Sequence, residues 1–289
     1  MANLKELRNR ITSVGSTMQI TSAMKMVSAA KLKRAQDAIT QLRPYAQKIE
    51  EILVNVSATL DSSEGVYSRQ TENVKKVLIV AISSNRGLCG AFNANVVKKV
   101  MTYIKDSSAQ VDIFSLGKKS AEILTKKGAG KPVGEQNSIY EDLSFPNASA
   151  VAELLMEKFV SGDYDRIELV YNQFVNAANQ AVQCEEFLPI RVSKLKEGQQ
   201  PSAEYLYEPA KEEILEDLIP KSLKTQVFKA LLDSQASEHG ARMTAMHKAT
   251  DNANEMKKEL SLEYNKARQA AITNEILEIV GGANALEEA

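Results

Sequence analysis

The chain has 289 residues, a formal net charge of −1, 25% charged and 44% hydrophobic residues, which argues against global disorder and leaves no overall bias toward an acidic or a basic partner. Its 13 Gly and 7 Pro make up about 7% of the chain where an average protein carries about 12%, so long helices are predicted. Trp is absent and aromatics reach only 6%, which favours aliphatic helix seams over a β-sandwich.

The breakers divide the chain. Residues 1–64 hold only Gly15 and Pro44, residues 210–289 hold Pro220, Gly240, Gly281 and Gly282, and the rest fall in 65–209. Three segments are expected: an N-terminal coiled-coil helix (1–64), an α/β globular domain (65–209) and a C-terminal coiled-coil helix (210–289). Along the N-terminal segment a single heptad seam runs Leu4, Leu7, Ile11, Val14, Met18, Thr21, Lys25, Ser28, Leu32, Ala35, Ile39, Leu42, Ala46, Ile49, Leu53, Val56, Leu60. A helix of about 57 residues rising 1.5 Å each is about 85 Å long, longer than a compact domain of this size is wide. Pro44 removes one donor and bends the helix at most, since the seam continues past it.

The middle begins with Val77 to Ser83, a continuous apolar, β-branched run suited to a parallel strand buried on both faces. After the turn SSNRGLCG, Ala91 to Lys105 reads as helix, Asp112 to Leu116 as strand and Lys118 to Lys127 as helix. Asn147 to Val160 is a third helix, capped by Asn147 or Ser149, and Ile167 to Tyr171 and Val182 to Leu188 are further strands. Strand and helix in alternation predict a parallel sheet covered by helices, and Lys194 to Glu208 reads as a loop. The tail seam is predicted at Met246, Ala249, Ala253, Met256, Leu260, Glu263, Ala267, Ala270, Asn274 and Leu277, with Leu223, Val227 and Leu231 marking an earlier start. Because head and tail bracket the middle, they are expected to pair antiparallel. The fold class is thus a long antiparallel coiled coil of N- and C-terminal helices with an inserted Rossmann-like α/β domain.

Chemical motifs are sparse. The loop Ser83 to Gly90 lies between a strand and a helix, where glycine-rich loops bind phosphate, yet it has no GxGxxG and no following Lys-Ser/Thr. It reads as a tight turn in which Gly87 and Gly90 allow close packing or positive φ. His239 and His247 lack the closer spacing and extra ligands of a helical metal site. Cys89 and Cys184 have no CxxC spacing and suit a reducing compartment. No run of 18 apolar residues and no apolar signal core are present, so a cytoplasmic, non-inserted chain is expected. Charge is segregated: Leu7 to Gln36 carries six bases (Arg8, Arg10, Lys25, Lys31, Lys33, Arg34) and no acid, whereas after Arg268 come Glu275, Glu278, Glu287 and Glu288 and no base. Antiparallel pairing sets these segments near each other, where opposite charge helps to fix the pairing.

Several segments resemble the γ subunit of the rotary F-type ATP synthases. The head carries ITSAMKMVSAAKL from Ile20 to Leu32, and the first strand is followed by NRGLCGAFN from Asn85 to Asn93. The tail carries ARMTAM from Ala241, ATDNA from Ala249, YNKARQ from Tyr264 and ITNEILEIVGGA from Ile272 to Ala283. These lie in the family's order over nearly the whole chain.

The resemblance implies a central-stalk rotor subunit that turns inside a hexamer of three α and three β subunits, coupling transmembrane proton flow to ATP synthesis. The chain itself would hold no catalytic residue, cofactor or metal. Contacts with the α/β hexamer would fall on Met24, Lys25, Arg242, Gln269, Thr273 and Glu275. Contacts with the ε subunit and the membrane c-ring would fall on Tyr205, Tyr207 and Glu208. Lys25 stands where the family often has an acid. The lack of an inserted cysteine pair and of a transit peptide points to a bacterial complex, peripheral on the cytoplasmic face of the inner membrane. Two other readings compete: a nucleotide-binding α/β enzyme with a helical dimerisation arm, and a basic coiled coil that scaffolds nucleic acid, which the acidic tail disfavours.

Overall fold

A computed structural model describes residues 4–57, 66–69, 73–190 and 211–287. The elements in chain order are α1 (Leu4–Ser57), β1 (Lys76–Ile82), α2 (Phe92–Asp106), β2 (Gln110–Leu116), α3 (Lys118–Lys126), β3 (Gly134–Glu135), a 3-10 turn (Ser138–Tyr140), α4 (Phe145–Val160), β4 (Arg166–Phe174), β5 (Gln180–Leu188) and α5 (Lys211–Glu287). They form two compact units: one of residues 1–27 and 243–289, the other of residues 28–242.

The larger unit is built on a five-stranded sheet of order β3-β2-β1-β4-β5. β1 lies between β2 and β4, parallel to both, and β3 is parallel to β2. The apolar run of β1 is buried on both faces, as its composition predicts. Leu78, Val80 and Ile82 face one way, joining Leu169 and Tyr171 of β4, Leu155 and Phe159 of α4, and Leu223, Val227 and Leu231 of α5. Val77, Ile79 and Ala81 face the other way, against Val96, Val97 and Val100 of α2 and Leu124 of α3. Burying each such side chain is worth about 1.5–3 kcal/mol, so the two faces of β1 are the main anchor of this unit.

Two local expectations change. β5 is antiparallel to β4, because the intervening residues 175–179 are too few for a crossover. They close instead as an Asx turn, in which Asn176 Oδ1 accepts from the backbone N–H groups of Ala178 and Asn179. α4 starts at Phe145 with Ser144 as its N-cap residue and Pro146 in its first turn, a favoured place for proline. Asn147 is therefore inside the helix, and its side chain donates back to the carbonyl of Asp142. Gly117 supplies a further requirement: with φ +113, a Cβ there would lie 2.2 Å from the Ser83 carbonyl oxygen. Only glycine fits this turn between β2 and α3.

In the smaller unit the ends of α1 and α5 pair antiparallel. Arg8 Nη2 donates to Tyr264 Oη at 3.0 Å, and the hydroxyls of Thr21 and Thr250 are 2.8 Å apart. Leu7, Thr21, Met246 and Ala253 are buried. The head seam holds as predicted through Leu53, while Val56 and Leu60 lie outside the residues whose side chains are described. The tail seam keeps Met246, Ala249, Ala253, Leu260 and Ala267, with Thr250 half-buried beside Ala249, but from Met256 onward its alternate members move one residue on, to Lys257, Tyr264 and Ala271. Met256, Glu263 and Ala270 are exposed. The shift has a physical cause: Tyr264 contributes an apolar ring with a polar tip that Arg8 meets, whereas Glu263 in the seam would be a desolvated charge.

The same pairing carries Leu4 to about the level of Arg268. From Ile272 to Ala283 every residue is exposed, so the acids Glu275 and Glu278 lie past the described end of α1. Opposite charge therefore does not set this register.

Two substitutions test the phase of the tail seam. Tyr264→Ala should lower the thermal midpoint of the smaller unit's melting through a loss of about 3 kcal/mol of packing, while Glu263→Ala should stay within about 0.5 kcal/mol of the parent. The reverse order, read by circular dichroism on the full chain, would restore the other phase.

Candidate functional site

Open α/β sheets place ligands outside the carboxyl ends of their strands, where the crossover direction reverses. Here α2 and α3 cover one face and α4 the other, so the reversal lies between β1 and β4. The crevice is lined by the loop Ser83 to Gly90 after β1, the start of α2 and the end of β4.

α5 fills that crevice. Ser237 Oγ donates to the Asn172 carbonyl at 3.0 Å, and Asn172 Nδ2 donates to the Phe92 carbonyl at 3.1 Å, linking α5, β4 and α2. Ala241 packs on Cys89 and Phe92. At Gly240 a Cβ would meet Ala177 Cα at 3.2 Å and its carbonyl oxygen at 3.4 Å, so the missing side chain lets the helix approach the β4–β5 turn. Arg242 closes the contact. Its Nη1 donates to Glu238 Oε1 at 2.6 Å, and its Nη2 donates to the carbonyls of Arg86 at 3.1 Å and Gly87 at 3.2 Å.

Within the loop the polar groups are used internally. The Ser84 N–H donates to Asn93 Oδ1 at 3.0 Å, Asn93 Nδ2 donates to Ser84 Oγ and to Cys89 Sγ, and Ser84 Oγ donates to the Arg86 carbonyl. A phosphate cradle needs backbone N–H groups aimed at empty space. In this crevice α5 occupies that space, and the first turn of α2 uses Asn93 to hold the loop. The reading as a nucleotide-binding enzyme is not favoured. Gly90 has the expected positive φ of 58°, but the second such position is Leu88, at 61°, and Gly87 is not one. Leu88 is 65% exposed at the loop's tip.

Burial governs the titrating groups. It pushes the Glu238 carboxyl up, and Arg242 pulls it back. It drives His239 down to about 4, with Arg242 and Lys31 adding to the effect, so this histidine is neutral at physiological pH. The Cys89 thiol is raised by burial, and Cys184 is pushed up to about 12 by burial and by its bond to Glu168. Neither thiol is poised as a nucleophile. His247 belongs to the other unit, where Nδ1 lies 3.2 Å from Asp251 Oδ2. Among the described residues no group of three or more His, Cys, Asp or Glu could hold a metal, and no helix is long and apolar enough to cross a membrane.

The expected partner-contact residues separate. Met24 and Lys25 are half-buried on α1, and Gln269, Thr273 and Glu275 are exposed on α5, all in the smaller unit. Arg242 is in the larger unit, 8% exposed and bonded internally. Tyr205, Tyr207 and Glu208 lie outside the described residues. Sequence reasoning missed Asn93, Asn172, Ser237, Glu238 and Gly240. The only local signal was the i, i+4 pairing of Glu238 with Arg242. The smaller unit also exposes large apolar side chains: Ile20, Met26 and Val27 on α1, and Ile272, Ile276, Leu277, Ile279 and Val280 on the unaccompanied stretch of α5.

Residues 3–286 match a protein-family model described as ATP synthase. The chain is 62% identical to the ATP synthase gamma chain of Flavobacterium johnsoniae over 99% of both chains, and 52% identical to that of Cytophaga hutchinsonii, again over 99% of both. Among solved structures it is similar to a chain of the central stalk and c-ring of Tetrahymena thermophila mitochondrial ATP synthase, with 28% identity, a TM-score of 0.59, and 80% of this chain and 99% of that one covered. A chain of the OSCP/F1/c-ring assembly of Euglena gracilis mitochondrial ATP synthase shares the fold at 23% identity and a TM-score of 0.72, covering 98% and 94%.

Removing Arg242 tests the crevice contact. Arg242→Met leaves Glu238 buried without its cation and should destabilise the chain by about 3–5 kcal/mol at neutral pH. With its cation gone, the Glu238 carboxyl rises further above its unfolded value. The variant's deficit should then shrink as pH falls through that raised value and grow as pH climbs back. Urea unfolding at several pH values checks both; a deficit independent of pH would remove Glu238 from the account.

Proposed function

Because this chain belongs to the ATP synthase gamma-chain family, we propose that it is the central-stalk rotor subunit of a bacterial F-type ATP synthase. In this role it couples transmembrane proton flow to ATP synthesis by turning inside the α3β3 catalytic hexamer. The observation that carries the reading is the bare stretch from Ile272 to Ala283, an exposed helix whose Ile276, Leu277, Ile279 and Val280 are each at least half exposed. Such a surface on a soluble element marks a protein contact, and a sleeve of α and β subunits supplies it.

On this reading Met24, Lys25, Gln269, Thr273 and Glu275 meet the hexamer directly. Arg242 acts through the loop it holds, which presents the exposed Leu88. Tyr205, Tyr207 and Glu208 meet the c-ring and the ε subunit. Residues 1–64 and 210–289 serve as shaft and 65–209 as foot. The chain contributes no catalytic residue and needs no cofactor. Its effect on each β subunit is a difference in contact free energy between that subunit's conformations, which biases them in turn as the shaft rotates. The complex places it at the cytoplasmic face of the inner membrane without insertion.

Hydrogen exchange tests the sleeve. Amides from Ile272 to Val280 should exchange quickly in the isolated chain and at least about a hundred-fold more slowly after assembly with purified α and β subunits. Unchanged exchange in an assembled, ATP-hydrolysing complex would contradict the proposed contact.

A further inference from the structure

On the flank of the larger unit, α1, the end of β4 and α5 border a cavity of about 300 Å3. Leu42 and Arg43 of α1, Gln173 of β4, and Lys229 and Asp233 of α5 line it. Asp233 is 3% exposed, and its Oδ1 has no hydrogen-bond partner. Its carboxylate accepts from the backbone N–H of Phe174. A carboxylate so placed has lost most of its water and regained one donor, and it borders a space large enough for solvent.

The charged and titrating groups around it come from every neighbouring element. Arg43 of α1 and Lys229 of α5 favour its ionised form. Glu185 of β5 opposes it, and Tyr171 of β4 donates to Glu185 Oε1 at 2.7 Å. Neither cation forms an ion pair with Asp233 among the described residues: Arg43 is exposed and Lys229 half-buried.

We propose that Asp233 is a proton-binding site that sets how tightly α5 seats against α1 and β4. With the proton off, a buried carboxylate with one oxygen unserved borders the cavity and is not ion-paired to Arg43 or Lys229 among the described residues, and the elements around the cavity are held apart by the solvent it needs. With the proton on, that oxygen no longer carries charge that demands solvent, and the elements around the cavity can close. Burial raises this carboxyl from 3.8 to about 6, Arg43 and Lys229 pulling against that rise. Because the folded value lies above the unfolded one, the proton's stabilisation is complete below the unfolded value and is lost as pH climbs through about 6. Values of 3.8 and about 6 make the unfolding constant about ten-fold larger at pH 7.5 than at pH 5 through this group alone. A fall in the surrounding pH would therefore tighten the packing of α5 in this unit. The inference rests on the larger unit's geometry and not on the rotor reading.

The test uses the full chain with 13C-labelled aspartate carboxyls, titrated by NMR from pH 4 to pH 8. The signal that disappears in Asp233→Asn should have a midpoint near 6. A midpoint below about 4.5 overturns the proposal. In parallel, hydrogen exchange at Leu231 to Ser234 should slow about ten-fold in the parent relative to Asp233→Asn on going from pH 7.5 to pH 5. A parent-to-variant ratio that stays constant across that range overturns it as well. If Asp233→Asn does not fold, Asp233→Glu supplies the assignment, since its signal leaves the aspartate region.

Discussion

A guanidinium removed from water must keep its donors occupied, and much of the larger unit's arrangement follows from how Arg242 does so. One nitrogen serves Glu238, one turn back on the same helix, and another serves two main-chain carbonyls 155 and 156 residues away. Because those acceptors are backbone, the demand falls on the path of the loop and not on the side chains of Arg86 and Gly87. The path includes Leu88 in left-handed backbone conformation, a strain of order 1 kcal/mol that a β-turn with glycine there would avoid. The buried pair is itself weak evidence for net stability, since desolvating both charges offsets their attraction. What it supplies is geometry: one rotation of α5 and one loop conformation bring the Glu238 carboxylate and the two loop carbonyls to the guanidinium together.

The rest of the crevice is built to the same orientation. Ser237, Glu238, Ala241 and Arg242 recur at helical spacing on one face of α5, and Gly240 beside them removes the side chain that would hold the helix away from Ala177. Asn172 bridges from the opposite side, giving its amide hydrogen to α2 and its carbonyl to α5. A doubly wound sheet thus keeps its usual reception site but receives a helix of its own chain. Topology marks where something binds, and the side chains decide what. Asn93 decides it here, spending the loop's donors inward where a dinucleotide fold would leave them free.

The elements of this fold legible in the sequence are those fixed by local pattern. β1 is legible because a strand buried on both faces must be apolar at every position, and Val77 to Ile82 are each at most 1% exposed. The head seam is legible because its large apolar members leave one phase. The tail seam is not, because the expected phase offers Met256 and Ala270 where the observed one has Lys257 and Ala271, so apolar content does not choose between them and the choice falls to Tyr264 meeting Arg8 across 256 residues. β3 is two residues long and carries no periodicity. The direction of β5 could have been read from the five residues before it, too few to cross over. The crevice was least legible, since Arg242, Gly240 and Asn93 look like ordinary helix residues until the chain folds. The resemblance placed Arg242 of the ARMTAM segment at a contact with the α/β hexamer, and beyond the i, i+4 spacing from Glu238 nothing in the sequence showed its bonds to Glu238 and to the carbonyls of Arg86 and Gly87.

The smaller unit depends on a different balance. Apart from Leu7 and Met246 its seam is made of half-buried and small side chains with a hydroxyl pair at Thr21 and Thr250, so it removes less apolar surface from water per residue than β1 does. Past Ala271 the helix has no neighbour among the described residues, and a stretch of about a dozen residues is marginal on its own in water. The apolar side chains that face solvent there have no preferred partner geometry, because hydrophobic attraction is non-directional. A hydrogen-bonded surface would hold one orientation and resist leaving it. An apolar helix can be covered in many orientations at nearly equal free energy, which suits a shaft that must face each neighbour in turn.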